Sequence, residues 1–190
     1  NTIFTGSKLR GKMSTKEKSF FRSGNFDKDK YLEDKDKVVT FYKDKGYIDA
    51  VVLGDSVSYS DDKSRMFINI RLREGNKYYF GKVNWEGNNK FTNDQISGCI
   101  KFKEGSIYDQ KKYDESLGKI SEMYYDFGYL YLQIDDKTSP RGDTLDFNFK
   151  LTENNPAKVR MINIVGNTKT RENVIRRELM IMPDTIFSRP

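Results

Sequence analysis

The side chains able to do chemistry are few in kind. The 190-residue chain has no histidine and one cysteine, Cys99, so it lacks the usual neutral-pH base, the commonest metal ligand and an internal disulfide framework. Its many carboxylates alternate with lysines in runs such as "DKDKYLEDKDK", which is typical of a solvated helix face. Asp27 and Asp29 begin a calcium-loop spacing, but the loop glycine is missing. We therefore expect no metal site, no cofactor and no enzymatic activity.

The remaining candidate for ligand chemistry is a phrase that occurs twice, as "WEGNNKF" at 85–91 and "IVGNTKT" at 164–170. A glycine-rich loop cradles phosphate when several backbone amides converge, as in G-x-G-x-x-G or G-K-[ST]. Neither pattern is present here. The phrase predicts a turn between a strand and a helix, and its recurrence indicates an internal repeat.

The repeat extends well beyond this phrase. Residues 66–100 align with 145–179 without a gap, and nine of these 35 positions are identical. Upstream, "VVTFYKDKGYIDAVV" at 38–52 aligns with "ISEMYYDFGYLYLQI" at 120–134, and a fainter match opens the chain. With 36% hydrophobic and 33% charged residues, such a chain suits several small units better than one deep core.

Each period predicts the same elements. "YYFGKVNWEG" alternates as a half-buried strand, and Thr92 with Gln95 predicts a capping box at the start of a short helix. A longer helix over residues 113–127 ends at Gly128, as its earlier counterpart ends at Gly46. Two alternating strands follow. The order predicts an α+β fold of tandem β-α-α-β-β units with both helices on one sheet face.

This order resembles the polypeptide-transport-associated (POTRA) domains of the BamA family of bacterial outer-membrane barrel-assembly proteins. The resemblance rests on the strand-ending "GN", the "YYxxGY" joint and the return through "REG" or "TEN". It implies a three-stranded mixed sheet in which the second strand lies at the edge. We expect a first copy at 1–75 lacking its first strand, a complete second copy at 76–154, and the first strand and helix of a third at 155–190.

The resemblance places the working surface on the edge strands, whose free N–H and C=O groups can pair with an extended client. We expect strands at 47–53 and 129–134, with tyrosines of both segments on the open face or merely covering it. The candidate client-binding residues are Tyr47, Ile48, Asp49, Ala50, Val51 and Val52 in the first copy and Tyr129, Leu130, Tyr131, Leu132, Gln133 and Ile134 in the second.

Phe20, Phe21 and Phe26, in a segment between the helices of the first copy, form either a satellite core or a candidate partner patch. An alternative function is a basic α/β RNA-binding module, given the net charge of +6. It would use Tyr47, Tyr129 and Tyr131 with Arg71, Arg73 and Lys150. The POTRA arm of a two-partner secretion transporter is a further alternative.

The resemblance also implies partners and location. The expected partners are unfolded outer-membrane proteins, accessory lipoproteins and, through a C-terminal barrel outside this chain, the outer membrane, with no nucleic acid. The expected location is the periplasm, attached to the bacterial outer membrane. The sequence has no run of about 18 apolar residues and no leader-like start, so we expect neither a membrane span nor an export signal in this stretch.

Overall fold

The computed structural model describes residues 3–15, 26–179 and 182–187. These ranges contain five helices and five strands. In chain order they are α1 (Gly6–Lys12), α2 (Lys28–Lys43), β1 (Val51–Tyr59), β2 (Met66–Arg73), β3 (Tyr79–Glu86), α3 (Asn93–Ser97), α4 (Gln110–Tyr125), β4 (Gln133–Arg141), β5 (Thr144–Thr152) and α5 (Glu172–Glu178). The order confirms the predicted α+β succession of helix, helix, strand, strand.

The chain divides into two compact units. One comprises Asn1–Gly81, Lys103–Lys111 and Pro140–Leu145, and the other comprises Lys82–Phe102, Lys112–Ser139 and Asp146–Pro190. The first contains α1, α2 and the antiparallel hairpin of β1 and β2. Its core joins one face of α2 to the start of β1 and is completed by apolar side chains of the first helix and of β2; the members are Val38, Phe41, Tyr42, Ala50, Phe4, Leu9, Met13, Tyr47 and Leu72.

The complete sheet has the order β3-β5-β4, so β5 is central and β4 lies at an edge. β3 and β5 run parallel, because Lys82 N bonds Asp146 and Asn84 bonds Asn148 at the same separation of 64 residues. β5 follows β4 through a tight turn, as antiparallel strands do. The sheet is therefore mixed, as the resemblance implied.

The second copy buries one helix face and one sheet face. Tyr113, Ile120 and Tyr124 of α4 are buried, and Leu145, Phe147, Phe149 and Leu151 of β5 are buried at alternate positions. Thr92 caps α3 with the predicted box, in which the Gln95 side chain bonds the Thr92 N–H in return. Trp85 stacks on Phe149 with the ring centroids 4.8 Å apart, which fits a core role.

A buried tyrosine and a glutamate link the elements of both copies. Tyr42 OH donates to Glu74 Oε1 at 2.7 Å, and Tyr124 OH donates to Glu153 Oε1 at 2.8 Å. The same glutamate oxygen also accepts a backbone N–H from the entry of the first helix, at 3.4 Å from Ile3 and 2.8 Å from Lys90. We call each trio the tyrosine–glutamate link. It joins the second helix, the last strand and the first-helix entry.

The predicted first strand of the third copy is not formed. Residues 159–165 carry no strand, although the helix that follows, α5, is present. A strand needs a hydrogen-bonded neighbour. In the second copy that neighbour is β5, whereas no described strand lies beside residues 159–165.

Candidate functional site

The edge strands begin later than the sequence predicts. β1 starts at Val51 and β4 at Gln133, whereas residues 47–50 and 129–132 form turns. The predicted strands at 47–53 and 129–134 were therefore wrong at both ends, since β1 continues to Tyr59 and β4 to Arg141. The free edge lies further along the chain than expected.

The delay follows from how the preceding helices end. Gly46 and Gly128 adopt the left-handed conformation, with φ of 93° and 83°. The next residue then bonds back to the last helical turn, Tyr47 N to Tyr42 O at 3.0 Å and Tyr129 N to Tyr124 O at 3.1 Å. This is the Schellman motif, and it holds the following backbone to the helix end. The predicted glycine caps are thus confirmed.

Two of the three tyrosines expected at the open face lie elsewhere. Tyr47 packs edge-on against Phe4 and Tyr42, with centroids 6.0 and 6.1 Å away, and belongs to the core. Tyr129 packs against Tyr124 at 5.7 Å. Both side chains are half-buried against these aromatic neighbours, so each ring has limited exposed surface for a client or an RNA base. Tyr131 is 68% exposed.

The other residues of the two turns have mixed environments. Ala50 is buried in the core, Ile48 is half-buried, and Asp49 is exposed and accepts from Tyr78 OH at 2.9 Å. In the second copy Leu130 is exposed and Leu132 is half-buried. These side chains lie in the turns that precede β1 and β4 and are not part of either strand.

The β1 edge is uncharged toward solvent. Val51 and Leu53 are exposed, Val52 is half-buried, and a β-bulge between Val52 and Gly54 shifts the register. The charged residue of the strand, Asp55, pairs with Lys35 Nζ of α2 at 3.2 Å. Among the described residues β1 is bonded to β2 alone, so its other side has unpaired backbone groups.

The pKa values of this edge pair follow from those contacts. The hydrogen bond from the Lys35 ammonium, with the nearby Tyr31 side chain, holds the pKa of Asp55 below its ordinary value. Burial, reinforced by the nearby Asp55 carboxylate, raises the pKa of Tyr31 to about 12. Asp55 therefore stays ionised and turned toward α2 at neutral pH, and it does not guard the edge.

The β4 edge is guarded. Gln133 is exposed and Ile134 half-buried, and the strand then carries Asp135, Lys137 and Pro140, while Asp136 accepts a hydrogen bond from Tyr113 of α4. Charged side chains and proline on an edge strand discourage pairing with another chain. The two candidate edges thus differ in charge and in proline content. The sequence does not make this difference obvious, because both segments show the same alternation of apolar residues.

The aromatic segment of the first copy is only partly described. Phe20 and Phe21 lie outside the described residues. Phe26 is exposed on one side and packs against Tyr31 on the other, with centroids 5.6 Å apart. The contact fits a satellite core at this one position.

A repeated joint was missed by sequence reasoning. The Gly46 carbonyl accepts from Tyr78 N at 2.8 Å, and the Gly128 carbonyl accepts from Ala157 N at 2.8 Å. A methyl group on either glycine would meet an isoleucine, Ile107 Cγ2 at 2.9 Å or Ile186 Cγ2 at 2.6 Å. The repeat could have indicated this joint, because Tyr78 and Ala157 occupy equivalent positions 79 residues apart, as do Ile107 and Ile186.

Within the described ranges, no three His, Cys, Asp or Glu side chains are grouped to hold a metal ion. No described helix has the length and apolar character to cross a bilayer. What the site offers is a backbone edge with apolar neighbours. This edge lies on repeated units in which two helices are followed by paired strands, and such units define a class of α+β repeat modules.

Comparison with known proteins places the chain within this class. The sequence model of the family described as "POTRA: Surface antigen variable number repeat" matches residues 1–75 and 78–154. The chain belongs to the POTRA family.

Similar proteins come from several bacteria. The chain is 31% identical over 189 residues to the outer membrane protein assembly factor BamA of Neisseria meningitidis serogroup B, covering 96% of this chain and 24% of that protein. It is 31% identical to a putative outer membrane protein assembly factor of Treponema pallidum, covering 100% of this chain and 23% of that one. The chain thus spans about a quarter of the curated relatives it matches.

Solved structures show the same fold. The Haemophilus influenzae BamA POTRA3-5 structure superimposes with a TM-score of 0.77 at 17% identity, covering 99% of this chain and 76% of that one. The structure of BamA from Haemophilus ducreyi lacking POTRA domains 1-3 gives a TM-score of 0.58 at 17% identity, covering 74% of this chain and 25% of that one. The predicted resemblance to POTRA domains of the BamA family is confirmed.

Proposed function

We propose that this chain is a non-enzymatic POTRA scaffold, part of the periplasmic arm of an outer-membrane protein assembly factor, attached to the outer membrane through a barrel outside this chain. It binds unfolded outer-membrane proteins by strand addition and docks accessory lipoproteins. The similarity to outer membrane protein assembly factors supports the proposed role in outer-membrane protein assembly. We retain the division into copies at 1–75, 76–154 and 155–190 as part of this proposal.

The observation that carries the client-binding proposal is the contrast between the two edges. β1 presents nine residues whose single charge is turned toward α2, whereas β4 presents charges and a proline. Backbone pairing is indifferent to most side chains, which suits a protein that handles many different client strands. We therefore assign client binding to β1 and, of the residues first considered, to Val51 and Val52.

The test removes outward backbone amides from each edge. Successive residues of a strand point their amides in opposite directions, so one of Ser56→Pro and Val57→Pro deletes an amide that faces solvent and spares the ladder to β2. Thermal unfolding identifies which one. The probe is a labelled ten-residue peptide with alternating apolar and polar residues, patterned on one transmembrane barrel strand.

We expect the ladder-sparing variant of β1 to weaken peptide binding at least tenfold in fluorescence anisotropy. The matched controls are Lys137→Pro and Thr138→Pro, two adjacent positions in the middle of β4, one of which has an amide that points away from β5. The controls should leave binding unchanged. Equal binding by all folded variants would overturn the assignment to β1.

A further inference from the structure

The open face of the β1-β2 hairpin has an unusual composition. The register pairs Val51 with Arg73, Ser56 with Asn69 and Ser58 with Phe67, so these residues share one face. Along β2, Met66, Ile68, Ile70 and Leu72 are half-buried, and the residues between them are exposed. We call the exposed set, Val51, Ser56, Ser58, Phe67, Asn69, Arg71 and Arg73, the arginine face.

Two cations lie side by side on this face. Arg71 and Arg73 are two residues apart on one strand, so their positions are separated by roughly 7 Å. Neither forms an ion pair with any residue that the structure describes. Gly54 lies opposite Arg71, and a methyl group there would be 3.5 Å from an Arg71 Nη atom. The Arg71 guanidinium therefore reaches across to β1, within ordinary contact distance of Gly54.

The same face has apolar surface at both ends. Phe67 is 51% exposed, and Val51, opposite Arg73, is exposed as well. Aromatic residues, phenylalanine among them, and arginine are enriched at protein interfaces relative to the rest of the surface. A ring and a valine exposed to water gain free energy when a partner covers them.

The second copy shows that the fold does not require this composition. In the repeat register Phe67, Arg71 and Arg73 correspond to Asp146, Lys150 and Thr152. There Asp146 accepts the Lys82 N–H at 2.8 Å, and Asn148 accepts from Asn84 at 2.9 Å. The open face of that sheet is polar, and its hydrogen bonds are made internally. The arginine face is therefore a property of the first copy.

We propose that the arginine face docks an acidic segment of a partner protein, one that carries apolar side chains between its carboxylates. Each guanidinium offers a fork of donors that fits a carboxylate with two parallel bonds. Apolar side chains of the segment cover Phe67 and Val51. This surface is formed by side chains, whereas the client-strand proposal uses the outward backbone amides of β1; Val51 belongs to both.

A protein partner fits better than nucleic acid. Single-stranded RNA is held by two or three bases stacked on aromatic rings. The arginine face has one ring, Phe67, and Tyr47 of the same copy is half-buried against Phe4 and Tyr42. Carboxylates and apolar groups in alternation match both the charge and the exposed apolar surface of this face.

The test uses a labelled twelve-residue peptide of alternating Glu and Leu and the same peptide with Gln in place of Glu. Arg71→Glu/Arg73→Glu should weaken binding of the Glu peptide at least tenfold, and Phe67→Ser should weaken it about threefold. The matched control is Lys82→Glu/Lys150→Glu on the open face of the second copy, which should not change affinity. Circular dichroism and thermal unfolding establish that each variant is folded.

Several results would overturn the proposal. One is equal affinity for the Glu and Gln peptides, and another is equal loss in the control pair. A third is tighter, arginine-dependent binding of oligouridylate or of vesicles containing 30% phosphatidylglycerol, which would assign the face to nucleic acid or lipid. The ladder-sparing proline variant of β1 should keep Glu-peptide affinity, so failure here and failure of the client-strand proposal are distinguishable.

Discussion

At one buried position the first copy has a carboxylate, Asp34, and the second has a hydroxyl, Ser116. Both accept the backbone N–H that follows the first helix, Asp34 from Ser14 at 2.7 Å and Ser116 from Lys101 at 2.9 Å. Asp34 also accepts from Thr15 N and Lys37. The copies thus meet the same backbone requirement with different chemistry.

The tyrosine–glutamate link and the glycine joint are kept in both copies, whereas the edge strands and the open sheet faces differ. The edge of the first copy is uncharged and that of the second is guarded. The positions that repeat are those that hold a copy together. The positions that differ lie on the surfaces available to partners, so we expect the two copies to differ in what they bind.

The largest expected effect on stability is at Gly87, the glycine that follows β3, and Gly166 is its counterpart in the repeat. Gly87 and Gly166 share a φ of 82°, but a methyl group on Gly87 would lie 2.1 Å from the Leu151 carbonyl, whereas nothing described lies within 4 Å of that site on Gly166. Gly87→Ala should destabilise the protein by about 3–5 kcal/mol, and Gly166→Ala by about 1 kcal/mol or less. Urea unfolding measures both, and similar effects would contradict the crowding.

The tyrosine–glutamate link should be stronger in the second copy. Glu153 holds Lys90 N at 2.8 Å, whereas Glu74 holds Ile3 N at 3.4 Å. Glu153→Ala should therefore cost about 2–3 kcal/mol of unfolding free energy and Glu74→Ala about 1–2 kcal/mol. A double-mutant cycle with Tyr124→Phe should give a coupling energy near 1 kcal/mol. Additive effects of the two changes would show that the pair does not interact.

Lowering the pH should reduce the stability of the first copy more than that of the second, because the buried group of the first copy is the carboxylate of Asp34. Burial raises the pKa of Asp34, but the N–H groups of Ser14 and Thr15 and the side chains of Thr15 and Lys37 outweigh it, so that pKa lies below its ordinary value. A depressed folded pKa gives stability that is present above the unfolded value of 3.8 and is lost as the pH falls below it.

The substitution Asp34→Ser, which copies the second unit's solution, should cost about 1–2 kcal/mol at pH 7 and remove that part of the acid sensitivity. Chemical unfolding at pH 7, 5, 4 and 3 measures the difference between wild type and variant, which should shrink as the pH falls. Ser116→Ala is the control, whose cost should not vary with pH. A constant difference for Asp34→Ser would show that the carboxylate does not set the acid response.

Local patterns were sufficient for some features and insufficient for others. Glycines after a 3.6-residue period identified both helix ends, and Thr92 with Gln95 identified a cap, because these signals act within one turn of chain. The start of β1 was missed because "YIDAVV" alternates like a strand while Tyr47 is bonded back to the helix. No local rule shows which backbone group Asp34 meets, since Ser14 is 20 residues away and the repeat has no identity there.

The smallest expected effect concerns a turn that the copies build with different residues. Asp184 occupies the position of Gly105 in the repeat and adopts the same left-handed conformation, with φ of 63° against 78°. Asp tolerates this region at a modest cost, so Asp184→Gly should stabilise the turn by about 0.5 kcal/mol. The bond from Phe187 N to Ala157 O at 2.9 Å reports on it. We expect exchange of the Phe187 amide to slow about twofold. The reciprocal change, Gly105→Asp, should destabilise the second copy by a similar amount, because a side chain there meets open space and only the backbone conformation is penalised. Faster Phe187 exchange in Asp184→Gly would mean that the aspartate side chain, rather than the backbone preference, holds this turn in place.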